Sequence, residues 1–208
     1  QRRFAENRIH FFNMELTTYE GGYVDGKYSR RSFVQQVSEK GSEPARFAFA
    51  GSQVLFNKME GFAEDIRKAA QYPKDGKAER IKRFYAQFEA WHWYSGEALR
   101  LNNRYLLGTS ISKFILFSGR LILAHNELLY PYHKWFLKVL EQAKDKPADL
   151  LENIHKLNEN PVMENIESLY EKVKSFQPWI EGDFSWPTQF MLDSELNWQA
   201  GKTPIDDA

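Results

Sequence analysis

The sequence of 208 residues contains no cysteine. Disulfide bonds, thiol catalysis and cysteine-ligated zinc are therefore excluded, and the composition is compatible with a reducing compartment. The sequence also lacks an uninterrupted apolar run near the roughly 18 residues of a membrane-spanning helix. Its opening, QRRFAENR, has none of the apolar core of a signal peptide. We therefore predict a soluble, cytoplasmic protein without membrane contact.

The sequence also has no excess of positive or negative charge. Lys and Arg number 28, Asp and Glu also number 28, and the formal net charge at pH 7 is zero. No overall field then draws the protein to nucleic acid or to an anionic membrane surface. This balance argues against a polynucleotide partner, and any phosphate site has to be built from local groups.

Several motifs that carry well-known chemistry are absent. The sequence has no G-x-S-x-G elbow, no Walker loop and no dinucleotide-binding glycine pattern, so serine hydrolase, P-loop and Rossmann functions have no support. His125 and His133 are eight residues apart across Pro131, which is not the spacing of a helical zinc pair. We predict no zinc site.

The order of the predicted elements indicates a mainly α-helical α+β fold. Residues 1–12 have a mixed helical pattern, and strands are predicted at 22–29 and 53–56, with a short helix between them that ends at Gly41. From Gly61 onward, helices are predicted at 61–72, 77–103, 108–127, 131–145, 147–158 and 161–176. The two longest predict an antiparallel helical bundle.

These patterns divide the chain into three predicted parts. Residues 1–58 form part of a small α/β or α+β unit, residues 61–178 form the helical bundle, and residues 179–208 form a C-terminal tail. The tail is too rich in Trp and Phe for a solvated linker, so we expect it to dock.

Asp25 is the acidic residue that most needs an explanation. It follows Tyr23 and Val24, which favour a β-strand, whereas a carboxylate does not favour a strand interior. Asp25 and Gly26 either form the turn of a β-hairpin, for which Asp-Gly is a common signal, or Asp25 is held on a strand for a chemical function.

Polar residues in the apolar stretch 118–136 and near residue 105 are the other candidates. Arg104, Arg120 and Lys134 are predicted phosphate contacts, and His125 and Tyr132 are predicted to line a pocket. Buried polar groups must find partners or face a cleft. The alternative is that Arg120 and His125 are satisfied core residues and that Lys134 belongs to an exposed helix face.

Three stretches carry a resemblance to a known family: YEGGYVDGKY, FVQQVSEKGSEPARFAF and GRLILAHNELLYPYHKW. They resemble bacterial nucleotidyltransferase-domain proteins of the DNA polymerase beta superfamily, which includes aminoglycoside nucleotidyltransferases. The resemblance covers residues 1 to about 178. It implies a small catalytic sheet followed by a helical bundle, and three carboxylates that hold Mg²⁺. Asp25 matches the third of these acids.

The resemblance also implies an activity. A nucleoside monophosphate is transferred from a nucleoside triphosphate to a hydroxyl of a small-molecule acceptor, and ATP is the expected triphosphate. The family's Gly-Ser turn and Asp-x-Asp pair do not occur before Asp25, and one acid cannot hold two metal ions. Because the first residue is Gln1, we expect an upstream segment that carries the pair. The alternative is a non-catalytic helical module that binds nucleotide or another protein.

Overall fold

The computed structural model describes residues 2–6, 8–201 and 205–207. The protein is 59% helical and contains a small two-stranded antiparallel sheet, which confirms the predicted mainly α-helical α+β class. The chain divides into two compact units. The first comprises residues 1–41 and 49–71, and the second comprises residues 42–48 and 72–208.

The first unit contains the sheet. Its elements are helix α1 (Arg2–Ala5), strands β1 (His10–Asn13) and β2 (Val24–Lys27), and helices α2 (Arg31–Lys40) and α4 (Phe62–Ala69). Strands β1 and β2 form a hairpin in which Phe12 lies opposite Asp25. Helix α2 packs against α4 and buries Val34 and Val37 on its inner face.

Two predictions in this unit are wrong. Strand β1 lies where a helical pattern was predicted, because four residues are too few for hydrophobic periodicity to separate the two states. Residues 53–56 have no strand partner in the described structure and are not a strand. Leu55 at their centre is 90% exposed, since an apolar run becomes a strand only where a ladder is available.

The second unit is a helical bundle built on two long helices. After α3 (Glu43–Phe47), helices α5 (Lys77–Arg100) and α6 (Arg104–His125) form an αα-hairpin with a three-residue connection. Both lie within four residues of their predicted bounds. Burying each large side chain between them stabilises the fold by about 1.5–3 kcal/mol. The side chains that are fully buried on these two helices include Phe84, Phe88, Phe114, Phe117, Leu121, Ile122 and Leu123.

Shorter helices cover the long pair. They are α7 (Phe136–Glu141), α8 (Leu150–Glu159), α9 (Met163–Lys174), α10 (Trp186–Ser194) and α11 (Asn197–Ala200), with 3₁₀ turns at His133–Trp135 and Ile205–Asp207. The helix predicted at 131–145 is shorter in the structure, where α7 ends at Glu141. It cannot begin before residue 133, because Tyr132 has a φ of 70° and a helix cannot pass through it. Helix α10 packs on α5 and buries Phe190, so the tail docks as expected.

Helix α6 is long and apolar enough to cross a membrane, by length and composition. However, 67% of its most apolar window is buried inside the protein. The core helix of a soluble protein has the same character, so the structure is consistent with the predicted soluble state.

Candidate functional site

Asp25 lies on β2 and not in a turn. The register pairs Asn13 with Val24, so residues 14–23 connect the two strands, and the Asp-Gly turn is excluded. The Asp25 carboxylate remains 55% exposed, and its Oδ1 lies 2.7 Å from Nε2 of His10. Side chains alternate along a strand, so both residues lie on the face of the hairpin that also carries Phe12.

This arrangement holds the Asp25 carboxylate in one orientation and leaves it about half exposed. A carboxylate on a strand has a fixed backbone, and a neighbouring imidazole N–H that donates to one of its oxygens orients the other. In the part of the chain that the structure describes, no three His, Asp or Glu side chains converge as a metal site. The hairpin therefore offers one oriented carboxylate, Asp25, rather than a complete set of metal ligands.

Arg120 lies inside the bundle. Its side chain is 0% exposed, and its guanidinium lies 4.3 Å from the ring centroid of Phe84 and 4.4 Å from that of Tyr130. Nη2 donates to Oε1 of Glu43 at 3.2 Å, and Nη1 donates to the backbone carbonyl of Asp206 at 2.5 Å. Desolvation lowers the pKa of Arg120, and the Glu43 carboxylate opposes this shift. These contacts favour the core interpretation, and its role in phosphate binding stays a prediction.

Glu43 is the partner that the sequence did not reveal. Its side chain is 2% exposed, and its Oε2 accepts a hydrogen bond from the backbone N–H of Tyr130 at 2.8 Å. Nε of Arg80 lies 3.9 Å from Oε1. Arg46, one turn along α3, is also buried, and its pKa is lowered by desolvation and then by Arg80. Glu43 is thus the carboxylate at which α3, α5 and the end of α6 meet.

A sequence signal for Glu43 exists but is weak. The residue precedes Pro44 in the first turn of a short helix, which is a common place for an acid. Nothing in that local pattern indicates an arginine 77 residues away.

His125 is the last residue of α6, and its ring is held by a hydrogen bond to a carboxylate. Its Nε2 lies 2.5 Å from Oδ2 of Asp145, and its ring meets the rings of Phe176 and Trp179 edge-on. The His125 backbone carbonyl accepts a hydrogen bond from Nζ of Lys77 at 3.0 Å. These contacts join the end of α6 to its neighbours. They agree with the alternative stated from the sequence, in which His125 is a core residue whose polar groups have partners.

The other predicted residues of the bundle lie at its surface. Arg104 is exposed at the first position of α6. Tyr132 is 50% exposed, and the ammonium of Lys134 lies 5.3 Å from the ring centroid of Trp135. The ammonium of Lys138 lies 5.5 Å from the same centroid. Tyr132, Lys134, Trp135 and Lys138 therefore combine exposed aromatic rings with positive charge.

The structure does not bring all these residues to one place. Arg104 and His125 are the two ends of a helix of 22 residues, which at 1.5 Å per residue separates them by roughly 30 Å. They cannot both contact one small ligand. Tyr132 and Lys134 are close in sequence and share one short segment. Asp25 belongs to the first unit and the other predicted residues to the second.

Comparison of the chain with protein-family models, with curated proteins and with solved structures finds no match.

Proposed function

We propose that this chain is part of a bacterial, cytoplasmic nucleotidyltransferase. It would transfer a nucleoside monophosphate from a nucleoside triphosphate, with ATP as the expected donor, to a hydroxyl of a small-molecule acceptor. The observation that carries this proposal is the position of Asp25, whose carboxylate is exposed on a strand and oriented by His10. The resemblance expects one acid of the metal site at this position.

The size of the sheet supports the proposal. A hairpin of two four-residue strands is marginally stable by itself, and three or more strands with a buried face are usually needed. Phe12 is 53% exposed and Tyr23 is 50% exposed, and their rings contact each other beside Asp25. Further strands would cover these rings and bring other side chains next to Asp25.

The residues present do not make a magnesium site by themselves. Asp25 supplies one carboxylate, whereas two Mg²⁺ ions on a triphosphate need several to balance their charge. The proposal therefore requires the paired acids to come from residues outside these 208. When bound, magnesium would supply charge neutralisation for the triphosphate. The part of this chain would be to hold the Asp25 carboxylate in place with the N–H of His10.

Asp25→Asn tests the proposal in the protein expressed from its native reading frame. The assay measures Mg²⁺-dependent pyrophosphate release from each nucleoside triphosphate with a panel of hydroxyl acceptors, alongside Mn²⁺ binding followed by electron paramagnetic resonance. Loss of a metal ligand removes several kcal/mol of transition-state stabilisation, so turnover should fall by on the order of 10²-fold or more, and Mn²⁺ binding should weaken.

Asp183→Asn is the matched control, because Asp183 is exposed in the loop before α10. The change at Asp25 should lower stability by less than about 1 kcal/mol, since the Asp25 and His10 side chains are both more than half exposed. Full turnover and unchanged Mn²⁺ binding in Asp25→Asn would refute the role of Asp25. Absence of turnover and of nucleotide binding in the unsubstituted protein would favour an interaction module instead.

A further inference from the structure

A cavity in the second unit has no part in the proposed transfer reaction. It lies between α6, the start of α7 and α8, and its volume is about 300 Å³. This volume is at the lower end of the range for small-molecule sites in proteins. Every lining residue belongs to the second unit.

The floor of the cavity is apolar. It is formed by Ile115, Leu116, Phe136, Leu137 and Ile154. Phe136 can lie deep in the bundle because α6 has a glycine beneath it. A Cβ at Gly119 would come within 2.3 Å of Cζ of Phe136. The missing side chain at Gly119 therefore gives the floor its depth.

The rim of the cavity consists of polar side chains that donate hydrogen bonds. They are Ser112, Lys113, His133, His155 and Asn158, and the lining residues include no Asp or Glu. An ammonium, an imidazole N–H, a hydroxyl and an amide N–H are all hydrogen-bond donors. Donors of this kind bind oxyanions through charge-assisted hydrogen bonds.

Two of these rim residues are held by contacts within the bundle. Nδ1 of His133 lies 3.1 Å from the hydroxyl of Tyr130. When that hydroxyl donates to Nδ1, the ring proton resides on Nε2, where it can be donated to a ligand. The ammonium of Lys113 forms an ion pair with Asp206. A bound oxyanion would therefore either displace the Asp206 carboxylate from this ammonium or share the ammonium with it.

We propose that this cavity binds a small amphipathic oxyanion, a phosphate monoester or a carboxylate attached to an apolar group. The oxyanion contacts Lys113, His133 and His155, and the apolar group lies on the Phe136 floor. A neutral apolar molecule would offer no acceptor to the rim donors while displacing water from them, which is unfavourable. An inorganic anion would leave the floor uncovered. The site is independent of the Asp25 chemistry.

The test uses phenyl phosphate with the whole 208-residue chain and measures its affinity by isothermal titration calorimetry. Benzyl alcohol supplies the ring without the charge, and inorganic phosphate supplies the charge without the ring. We expect phenyl phosphate to bind at least about tenfold more tightly than either, because it uses both the rim and the floor. Sodium benzoate and adenosine monophosphate then distinguish a carboxylate from a phosphate and a small ring from a nucleoside.

His155→Gln is the informative variant, because the exposed His155 ring can change without disturbing the core. The affinity for phenyl phosphate should fall by about threefold to tenfold, while Lys144→Gln, which changes an exposed cation of the same unit outside the cavity lining, should leave it unchanged. The ring protons of His133 and His155 should also shift in NMR spectra on titration. Equal affinity in both variants, unmoved His133 and His155 signals, or benzyl alcohol binding as tightly as phenyl phosphate would overturn the proposal.

Discussion

The ion pair between Glu43 and Arg120 should be essential for the stability of the bundle, and Glu43→Gln tests this. The two side chains are 2% and 0% exposed, so neither can be rehydrated in the folded state. The amide keeps the shape of the side chain and removes its charge, so the Arg120 guanidinium loses the negative charge of Glu43. Removing one partner of a buried ion pair typically costs about 3–5 kcal/mol.

The expected change in melting temperature follows from this cost. For a chain of 150–250 residues, each kcal/mol shifts the melting temperature by about 2–4 °C. We therefore expect Glu43→Gln to melt about 6–20 °C lower, as measured by far-ultraviolet circular dichroism and by urea unfolding. Glu181→Gln, which changes an exposed acid of the same unit, should shift the melting temperature by no more than about 2 °C.

A double variant shows whether stability is lost because the ion pair is missing or because one buried charge is left without its partner. Replacing Glu43 by Gln and Arg120 by Met removes both charges at similar volume and leaves a side-chain oxygen at position 43 to accept from the N–H of Tyr130; such exchanges are often neutral or stabilising. The double variant should regain most of the stability that Glu43→Gln loses. The reasoning is refuted if Glu43→Gln melts within about 2 °C of the parent protein. If Arg120→Ala retains the melting temperature but weakens ATP binding, Arg120 is the phosphate contact that the sequence predicts.

Two further changes probe the bundle core. Gly119→Ala should destabilise the protein by about 1–3 kcal/mol in urea unfolding, because its new Cβ would come within 2.3 Å of the Phe136 ring, and an unchanged midpoint would show that the ring moves aside without cost. Burial, and then the hydrogen bond with Glu89, raise the pKa of Tyr170 in the folded protein. In the unfolded chain the Tyr170 phenol has its ordinary pKa of about 10 and loses its proton first. The free energy of unfolding should therefore decrease as the pH rises above about 10. Tyr170→Phe should make that decrease shallower, and an identical alkaline transition in the variant would assign it to other groups.

The sequence predicted the long helices well because their signals are local. Helices α5 and α6 have apolar faces that continue for several turns, and the short connection between them contains Asn103, whose side-chain Oδ1 caps α6 by accepting from the N–H of Leu106. Residues 53–56 are also mostly apolar, but whether they form a strand depends on a partner strand, which no local pattern reveals. Tyr132 shows the same limit, since its positive φ is unusual for a tyrosine.

The candidate residues divide according to how far away their partners lie. Asp25 was expected either in a turn or on a strand, and the backbone register alone decides between these, because Asp25 faces Phe12 within the ladder. For Arg120 the decision rests on Glu43 in a different helix, and a charge pattern read along α6 cannot contain that carboxylate. A buried arginine that is paired inside the core has little freedom to bind a ligand. An exposed aspartate with one orienting neighbour keeps that freedom, and so the hairpin, rather than the core of the bundle, is where evidence for nucleotidyl transfer should first be sought.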